Sequence, residues 1–239
     1  MEAEQMRGAF LKLVLAAVLA AAGCSKAPDG GVEAPAGSSE AAGDENINLD
    51  VWLERLEVGS RELYSARENV VAALGLEEGD VVADIGSGTG LYSLLFAEAV
   101  GPEGRVFAED IEPLFLDLIN RRAEDAGVNN ITAVFGREDN VTLPANAMDF
   151  VFIADTYHYF DDREAVMKSI FEALKPGGSL VIIDYDLEPG AERPEDKSHV
   201  RFGKAGVISE IEFTGFEHAE TVEVDGLEEN YFVRFIKPR

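Results

Sequence analysis

Residues 82–90 read VADIGSGTG, an apolar run that passes into a turn with glycine at positions 86, 88 and 90. A short apolar run bounded by turn residues is typical of a buried strand, and residues 91–100 behind it predict a helix. Glycines let the backbone of a strand-to-helix turn come close to a ligand. Open α/β sheets bind ligands at the carboxyl ends of their strands. The stretch therefore predicts a ligand site at the end of the first strand.

The pattern of one strand followed by one helix repeats along the chain. Further apolar strands are predicted at 104–111, 130–135, 148–155 and 179–185. Continuous apolar strands that alternate with helices indicate a parallel sheet covered on both faces. After a predicted helix at 205–214, the segments 218–224 and 231–236 indicate an antiparallel pair at one edge of the sheet.

Helix boundaries are also visible in the residues. A helix is predicted to precede the first strand, because Leu63, Ala66, Val70 and Leu74 recur at helical spacing and Gly75 follows them. Pro113 suits the first position of the helix after the second strand. Asp161 or Asp162 caps the helix after the fourth strand.

An acidic pair closes the second predicted strand. Glu109 and Asp110 stand 19 and 20 residues beyond Gly90, and a carboxylate at this place can accept hydrogen bonds from both hydroxyls of a ribose. The glycine spacing is G-x-G-x-G, whereas the dinucleotide fingerprint requires G-x-G-x-x-G, so a nicotinamide oxidoreductase is disfavoured. Asp84, two residues before the first glycine, suits a positively charged ligand group better than a pyrophosphate.

Several motifs together resemble the class I S-adenosylmethionine-dependent methyltransferases. Besides VADIGSGTG they are VFAEDIEP (106–113), LPANAMDFVFIADTYHYFDD (143–162), LKPGG (174–178) and TGF (214–216). The resemblance covers about 49–239. It implies a three-layer, Rossmann-like α/β fold with a seven-stranded sheet, mostly parallel with one antiparallel strand in the edge region. It also implies S-adenosyl-L-methionine as cofactor.

The resemblance assigns cofactor contacts residue by residue. Asp84, Gly86, Gly88 and Gly90 would face the methionine part of the cofactor, and Asp110 the ribose. Ser87, Ile111 and Asp155 are further candidates for cofactor contacts. Either Glu138 or Asp139 would contact the adenine, and the sequence leaves this alternative open.

The segment DTYHYF (155–160) supplies the catalytic candidates, because it follows the fourth strand and should line the cleft. His158 would serve as a base if the acceptor atom carries a proton, or it would only shape the pocket. Tyr157 and Tyr159 would form a wall or contact the cationic methyl donor through their ring faces, and ordinary packing is the alternative.

Weaker candidates lie elsewhere in the chain. Arg61 and Tyr64 are candidates for capping the cofactor, and His199 with Arg201 for closing on the substrate; a solvated loop is the alternative for the latter pair. His218 is assigned nothing.

Composition excludes some classes of ligand. The chain has 20 basic and 46 acidic residues, a net charge of −26, which repels nucleic-acid phosphates. Its three histidines are far apart in sequence and its cysteine is single, so no metal site is predicted. The lack of cysteines also disfavours arsenite as the methyl acceptor. We therefore expect a small-molecule substrate, and the sequence leaves the oligomeric state undetermined.

The first 48 residues have a different character. A basic start and the short apolar run 13–22 resemble a secretory signal, and LAAAGCS (19–25) resembles a bacterial lipobox. This predicts a signal peptide over 1–23, lipidation of Cys24, a disordered linker over 24–48 and a methyltransferase domain over 49–239. The alternative is a core helix with an incidental cysteine.

Export would place the domain outside the cytosol. The expected location is the bacterial cell envelope, at the periplasmic face and at the outer membrane in a Gram-negative cell, or the cytoplasm where export fails. Because S-adenosylmethionine is made in the cytosol, two functions stay open. One is methyl transfer to an unidentified small molecule; the other is a non-catalytic cofactor-binding or scaffold lipoprotein.

Overall fold

A seven-stranded sheet organises the residues described by the computed structural model, which are 48–187, 200 and 202–239. The strands are β1 Val81–Ile85, β2 Arg105–Asp110, β3 Ile131–Phe135, β4 Met148–Ala154, β5 Leu174–Tyr185, β6 Glu217–Val222 and β7 Asn230–Ile236. Their order across the sheet is β3-β2-β1-β4-β5-β7-β6. The signal, linker and Cys24 predictions, and those for His199 and Arg201, lie outside the described residues.

Strand directions confirm the predicted sheet. Strands β1 to β5 pair in parallel, whereas β7 is antiparallel to both β5 and β6. The chain order reverses at β1, since β2 and β3 lie on one side of it and β4 and β5 on the other. The carboxyl ends of β1, β2 and β4 therefore meet at the switch point, where such sheets bind ligands.

Seven helices surround the sheet within the described ranges. They are α1 Leu49–Leu56, α2 Glu62–Ser65, α3 Arg67–Leu74, α4 Leu91–Ala99, α5 Pro113–Ala126, α6 Arg163–Ala173 and α7 Lys204–Phe213, with a 3₁₀ turn at Tyr157–Tyr159. Pro113 occupies the first turn of α5 as predicted. Asp162 caps α6, because its Oδ1 accepts the backbone N–H of Ala165 at 3.0 Å. In these helices, no segment is both long and apolar enough to cross a bilayer.

Two apolar cores lie on opposite faces of the sheet. Along β4, Val151 and Ile153 belong to one core and Phe152 to the other. Along β5, Leu180 and Val181 divide in the same way. Successive strand residues point to opposite faces, so a strand buried on both sides must be apolar throughout. This requirement explains the unbroken apolar runs in the sequence.

Two predicted boundaries differ from the structure. The helix predicted over 63–74 is divided at Ala66 into α2 and α3, although its four apolar residues are all buried. β5 begins at Leu174 rather than at residue 179, because Leu174 pairs with Met148 ahead of a register shift. Helix α1 was not predicted.

Glu62 connects the beginning of the described chain to its end. Its carboxylate accepts the backbone N–H groups of Glu228, Glu229 and Asn230 at 2.8–3.2 Å, and the side-chain amide of Asn230 at 2.9 Å. The segment that enters β7 is thus held against α2. This contact spans up to 168 positions of sequence.

Lys237 is a buried cation that joins the end of β7 to α6. Its Nζ donates to the carbonyl oxygens of Phe171 and Leu174, each at 2.7 Å, and to Oδ1 of Asn146 at 3.1 Å. Replacing it with methionine leaves these buried acceptors without a donor, and an unsatisfied acceptor costs about 1–3 kcal/mol. We expect Lys237→Met to lower the free energy of unfolding by about 2 kcal/mol or more in urea titrations.

The control is Lys168→Met, which changes an exposed lysine on α6 and should leave the free energy of unfolding almost unchanged. Equal effects of the two substitutions would contradict the role assigned to Lys237.

Candidate active site

The glycine turn of residues 86–90 joins β1 to α4 and is fastened to the end of β2. The backbone N–H and the hydroxyl of Ser87 donate to the carbonyl oxygen of Glu109 at 2.9 and 3.1 Å. The N–H of Gly88 donates to Oδ2 of Asp110 at 2.8 Å. These hydrogen bonds hold the turn against the end of β2 at the switch point.

Two positions of this turn require glycine, because at each one a different neighbouring side chain occupies the space of a Cβ. Gly86 has a φ of +65°, and a Cβ there would overlap the side chain of Thr156. Gly90 has a φ of +78°, and a Cβ there would lie 2.6 Å from Cγ1 of Ile119 on α5. Both the left-handed backbone and the close packing exclude larger residues. The close approach of Thr156 also places the segment after β4 against the turn.

Three carboxyl groups are buried at the ends of β1 and β2. Asp84, Glu109 and Asp110 are 4%, 3% and 7% exposed. Oδ2 of Asp84 accepts the hydroxyl of Ser93 at 2.5 Å, and Oε2 of Glu109 accepts the N–H of Gly86 at 3.4 Å. The other oxygen of Asp110, Oδ1, accepts the N–H of Glu112 at 2.9 Å. Backbone and hydroxyl donors thus fix all three side chains in place.

Burial raises the pKa of each of these acids. Desolvation raises the pKa of Asp84 to about 7, assisted by the charge of Asp110 and opposed by the Ser93 hydrogen bond. Desolvation, with the charges of Asp110 and Asp84, raises the pKa of Glu109 to about 8. The pKa of Asp110 is also raised, mainly by desolvation. Such a site favours a ligand that brings positive charge and hydrogen-bond donors.

The remaining predicted cofactor residues lie around this turn in different environments. Ile111 is 54% exposed directly after Asp110, so its side chain is available to a ligand. Glu138 and Asp139 are both exposed at the tip of a tight turn closed by Arg137 and Asn140. Both alternatives for the adenine contact therefore stay open.

A second polar cluster follows β4 and involves a partner that was not predicted. Nδ1 of His158 lies 2.7 and 2.9 Å from the two carboxylate oxygens of Asp184 on β5. Asp184 is 2% exposed and is the only charged residue in the apolar run SLVIIDY (179–185). An acid inside an apolar strand was the signal that would have singled it out.

Asp155 joins this cluster from a strained position. Its φ is +52°, a region that residues other than glycine seldom adopt, and its N–H donates to the carbonyl of Ile183 at 2.8 Å. Its carboxylate pairs with the guanidinium of Arg61 at 2.8 Å. Arg61, a candidate for capping the cofactor, thus connects the segment before α2 to the end of β4.

Asp155, His158 and Asp184 each offer one metal-ligand atom, and these atoms lie within 4.8 Å of one another. The same three side chains form the His158–Asp184 and Asp155–Arg61 pairs.

Other candidates have structural partners. The Tyr157 hydroxyl donates to Oε2 of Glu210 at 3.0 Å, and burial raises the pKa of Tyr157 well above its usual value. Tyr159 is 59% exposed and packs against His158, with 4.1 Å between the ring centroids and 48° between the ring planes. Tyr64 packs under the guanidinium of Arg67. His218 packs against Phe235 on the far edge of the sheet.

The raised pKa values of the buried acids make the stability of the fold depend on pH. A carboxyl group whose pKa is raised on folding stabilises the fold fully below its unfolded pKa, and that contribution is lost as pH rises through the folded pKa. For Glu109 the window runs from about 4.5 to about 8. We expect the melting temperature of the ligand-free protein to fall between pH 6 and pH 9, and Glu109→Gln to reduce this fall.

Glu103→Gln is the matched control, because Glu103 is exposed in the loop before β2. A Glu109→Gln variant with the same pH dependence as the wild type would show that Glu109 does not titrate in this range.

Comparison with known proteins finds similarity to methyltransferases. The family described as methyltransferase domain matches residues 82–178. The demethylmenaquinone methyltransferase of Geobacillus sp. (strain WCH70) is 27% identical over 118 residues, which is 49% of this chain and 50% of that protein. The enzyme of the same name from Listeria welshimeri is 29% identical over the same shares. The chain thus spans about half the length of these curated relatives.

Solved structures are similar to a longer part of the chain than these curated relatives are. A S-adenosylmethionine-dependent methyltransferase from Aquifex aeolicus is 25% identical with a TM-score of 0.68, covering 80% of this chain and all of that one. An arsenic(III) S-adenosylmethionine methyltransferase from Chlamydomonas reinhardtii shares the fold, at 20% identity and a TM-score of 0.54 over 68% of this chain and 64% of that one. Together with the glycine turn and the acids at the ends of β1 and β2, these matches identify a methyltransferase domain over residues 82–178 and support a class I S-adenosylmethionine-dependent methyltransferase with S-adenosylmethionine as its cofactor.

Proposed function

We propose that the protein transfers a methyl group from S-adenosylmethionine to a small-molecule acceptor, by in-line displacement in a cleft at the carboxyl ends of the strands. The observation that carries the proposal is the group of three buried acids beside a glycine turn. When bound, S-adenosylmethionine supplies a methyl group on a positively charged sulfur. A positively charged ligand favours the ionised forms of Asp84, Glu109 and Asp110, and their carboxyl oxygens are the acceptors that such a ligand requires.

Asp110 is the residue best suited to the ribose hydroxyls. Its carboxylate is held by the N–H groups of Gly88 and Glu112, so its orientation is fixed before a ligand arrives. A preorganised acceptor avoids the entropic cost of ordering a side chain on binding. Asp84 and the backbone of Gly86 and Gly88 suit the amino acid part of the cofactor.

The segment before α2 would exclude water from the cofactor. Arg122 on α5 donates to the carbonyl oxygen of Thr89 in the glycine turn at 2.8 Å, and it pairs with Glu57 at the end of α1. Leu56 lies beside Gly88, since a Cβ on Gly88 would be 3.5 Å from its Cδ1. With the Arg61–Asp155 pair, these contacts hold α1 across the turn. Methyl transfer depends on orientation and exclusion of water, which this arrangement supports.

The acceptor is proposed only as a small molecule. The curated relatives are named for demethylmenaquinone, and this compound therefore belongs in a panel of candidate acceptors. The alternative function, cofactor binding without methyl transfer, is distinguished by turnover: binding without formation of S-adenosylhomocysteine across the panel would favour it.

We also propose that Cys24 anchors the chain by lipid to the bacterial cell envelope, with the methyltransferase domain 49–239 at the periplasmic face. The lipobox-like LAAAGCS and the polar linker behind it support this location. A linker of about two dozen residues reaches roughly 25–30 Å, so the cleft would work close to the membrane surface.

The assignment of Asp110 to the ribose predicts that replacing its side chain weakens the binding of the cofactor. Removing a charge-assisted hydrogen-bond acceptor costs about 1.5–3 kcal/mol, so Asp110→Ala should weaken S-adenosylmethionine and S-adenosylhomocysteine about 10- to 100-fold in isothermal titration calorimetry. The control, Asp117→Ala, changes an exposed acid on α5 and should bind like the wild type. A wild-type chain that binds neither compound would refute the proposed function.

The anchor predicts that radiolabelled palmitate is incorporated into the wild-type chain in bacterial cells. Incorporation should be lost in Cys24→Ser and kept in Ser25→Ala. Equal labelling of Cys24→Ser and the wild type would refute lipidation at Cys24.

A further inference from the structure

Three side chains converge where β4 and β5 end. Asp155 directly follows β4, His158 lies in the 3₁₀ turn behind it, and Asp184 is the last residue but one of β5. Each contributes one ligand atom, and these three atoms lie within 4.8 Å of one another. Two ligand atoms bound to one ion at about 2.0–2.2 Å are roughly 3–4 Å apart. A small movement of Asp155 would therefore place all three around one metal ion.

His158 and Asp184 already have the separation of two neighbouring ligands. Nδ1 of His158 lies 2.7 and 2.9 Å from the two carboxylate oxygens of Asp184. An ion about 2.1 Å from both the nitrogen and one oxygen would make an angle of about 80–90° with them, which is close to the angle between adjacent ligands of an octahedral ion. This pair can therefore pass from a hydrogen bond to a shared metal ion without moving apart.

The buried carboxylate of Asp184 requires compensation of its charge. Asp184 is 2% exposed, and in the described part of the chain its ion-pair partner is His158, which carries a charge only when it is protonated. A buried carboxylate is costly unless it is paired with a positive charge or bound to a metal. A divalent ion would supply that charge while the imidazole stays neutral.

The carboxylate of Asp184 is oriented by the backbone around it. Its Oδ1 accepts the N–H of Tyr185 at 2.8 Å, and its Oδ2 lies 3.3 Å from the N–H of His158. Hydrogen bonds of this kind fix the orientation of a metal ligand and are typical of metal sites. An ionised carboxylate has about four lone-pair sites, so these two bonds leave others for an ion.

The cluster of Asp155, His158 and Asp184 is open to solvent on one side. The side chain of Asp155 is 32% exposed, whereas those of His158 and Asp184 are 6% and 3% exposed. An ion can therefore enter past Asp155 and keep water on its remaining positions. Three protein ligands with a further position open are the arrangement of catalytic zinc sites, whereas structural zinc sites use four protein ligands.

Arg61 opposes the binding of a cation here. Its guanidinium pairs with Oδ2 of Asp155 at 2.8 Å, and its positive charge lowers the affinity of the cluster for a metal ion. The carboxylate of Asp155 has two oxygens, so it can serve the guanidinium and an ion together. The charge of Arg61 therefore provides a sensitive test of where an ion binds.

From this geometry we propose that Asp155, His158 and Asp184 bind one divalent transition-metal ion. An imidazole suits Zn²⁺ and carboxylates suit Mn²⁺, so the mixed set of ligands favours these two ions. The sequence predicted no metal site because its histidines are far apart, but this set requires only one of them. The ion would lie near the cofactor turn, since the hydroxyl of Thr156, which follows Asp155, is 3.5 Å from the carbonyl oxygen of Gly86.

Manganese supplies the test, because Mn²⁺ loses its sharp electron paramagnetic resonance signal when a protein binds it. Full-length protein is freed of metal with a chelator and titrated with manganese chloride in about 0.15 M salt, which screens the exposed acids. We expect one tightly bound ion per chain, which Zn²⁺ displaces. His158→Gln and Asp184→Asn should each weaken the binding of Mn²⁺ about 10-fold or more, since even a residue that only orients a metal ligand is worth about 10- to 100-fold.

Asp155→Asn changes a partly exposed side chain and should weaken the binding of Mn²⁺ to a similar extent; circular dichroism checks that each variant is folded. Arg61→Gln should instead tighten binding about threefold or more, because it removes a neighbouring positive charge. The controls are His218→Gln, on the edge strand β6, and Asp186→Asn, whose side chain pairs with Lys204. Both should bind Mn²⁺ like the wild type.

These titrations decide the proposal. A wild-type chain that binds neither Mn²⁺ nor Zn²⁺ more tightly than exposed acids do would overturn the site, and so would equal binding by the wild type and the three ligand variants. Unchanged or weaker binding in Arg61→Gln would overturn the place assigned to Asp155. Binding of S-adenosylhomocysteine is measured separately, and its failure would refute only the proposed function.

Discussion

The burial of Asp84, Glu109 and Asp110 at adjoining strand ends is the constraint on which the rest of the site depends. Three carboxyl groups so close together repel one another and lose hydration, and the chain compensates with donors fixed by the fold. The glycine turn supplies backbone N–H groups from Gly86 and Gly88. The two apolar cores keep the parallel strands in register, so the acids and these donors meet. An incoming cation relieves the remaining repulsion.

The sequence was sufficient to predict the sheet, because strands buried on both faces must be continuously apolar. It was also sufficient to place Asp84 and Asp110 near the ends of the first two strands, since each stands at a fixed distance from the glycines. It could not pair His158 with Asp184, because the register between β4 and β5 brings together residues 26 positions apart. The Arg61–Asp155 pair spans 94 positions and was invisible for the same reason. The division of the first predicted helix at Ala66 was hidden too, since its apolar spacing continues across the break.

The polar cluster at the ends of β1 and β2 and the one at β4 and β5 differ in how their acids are held, and this suits them to different roles. The acids of β1 and β2 are held by backbone donors and lack a basic side chain among the contacts described. In the second cluster, Asp155 after β4 and Asp184 on β5 are each paired with a basic side chain, Arg61 and His158 respectively. The first cluster is suited to the charged cofactor, and the second, with its mixed nitrogen and oxygen donors, to the proposed metal ion. Thr156 and Gly86 join them at one point of contact.

The attachment of Glu62 to residues 228–230 has a consequence for how the molecule is made. Chains emerge from the ribosome beginning at the amino terminus, so α2 waits for almost the whole polypeptide before its carboxylate finds these amides. The contact between α2 and the entry to β7 therefore forms last, after the earlier partners of this segment, Asp155 and Arg122, have been made. The same late residues complete the sheet, because β7 lies between β5 and β6, whereas the strands β1 and β2 that carry the buried acids emerge much earlier.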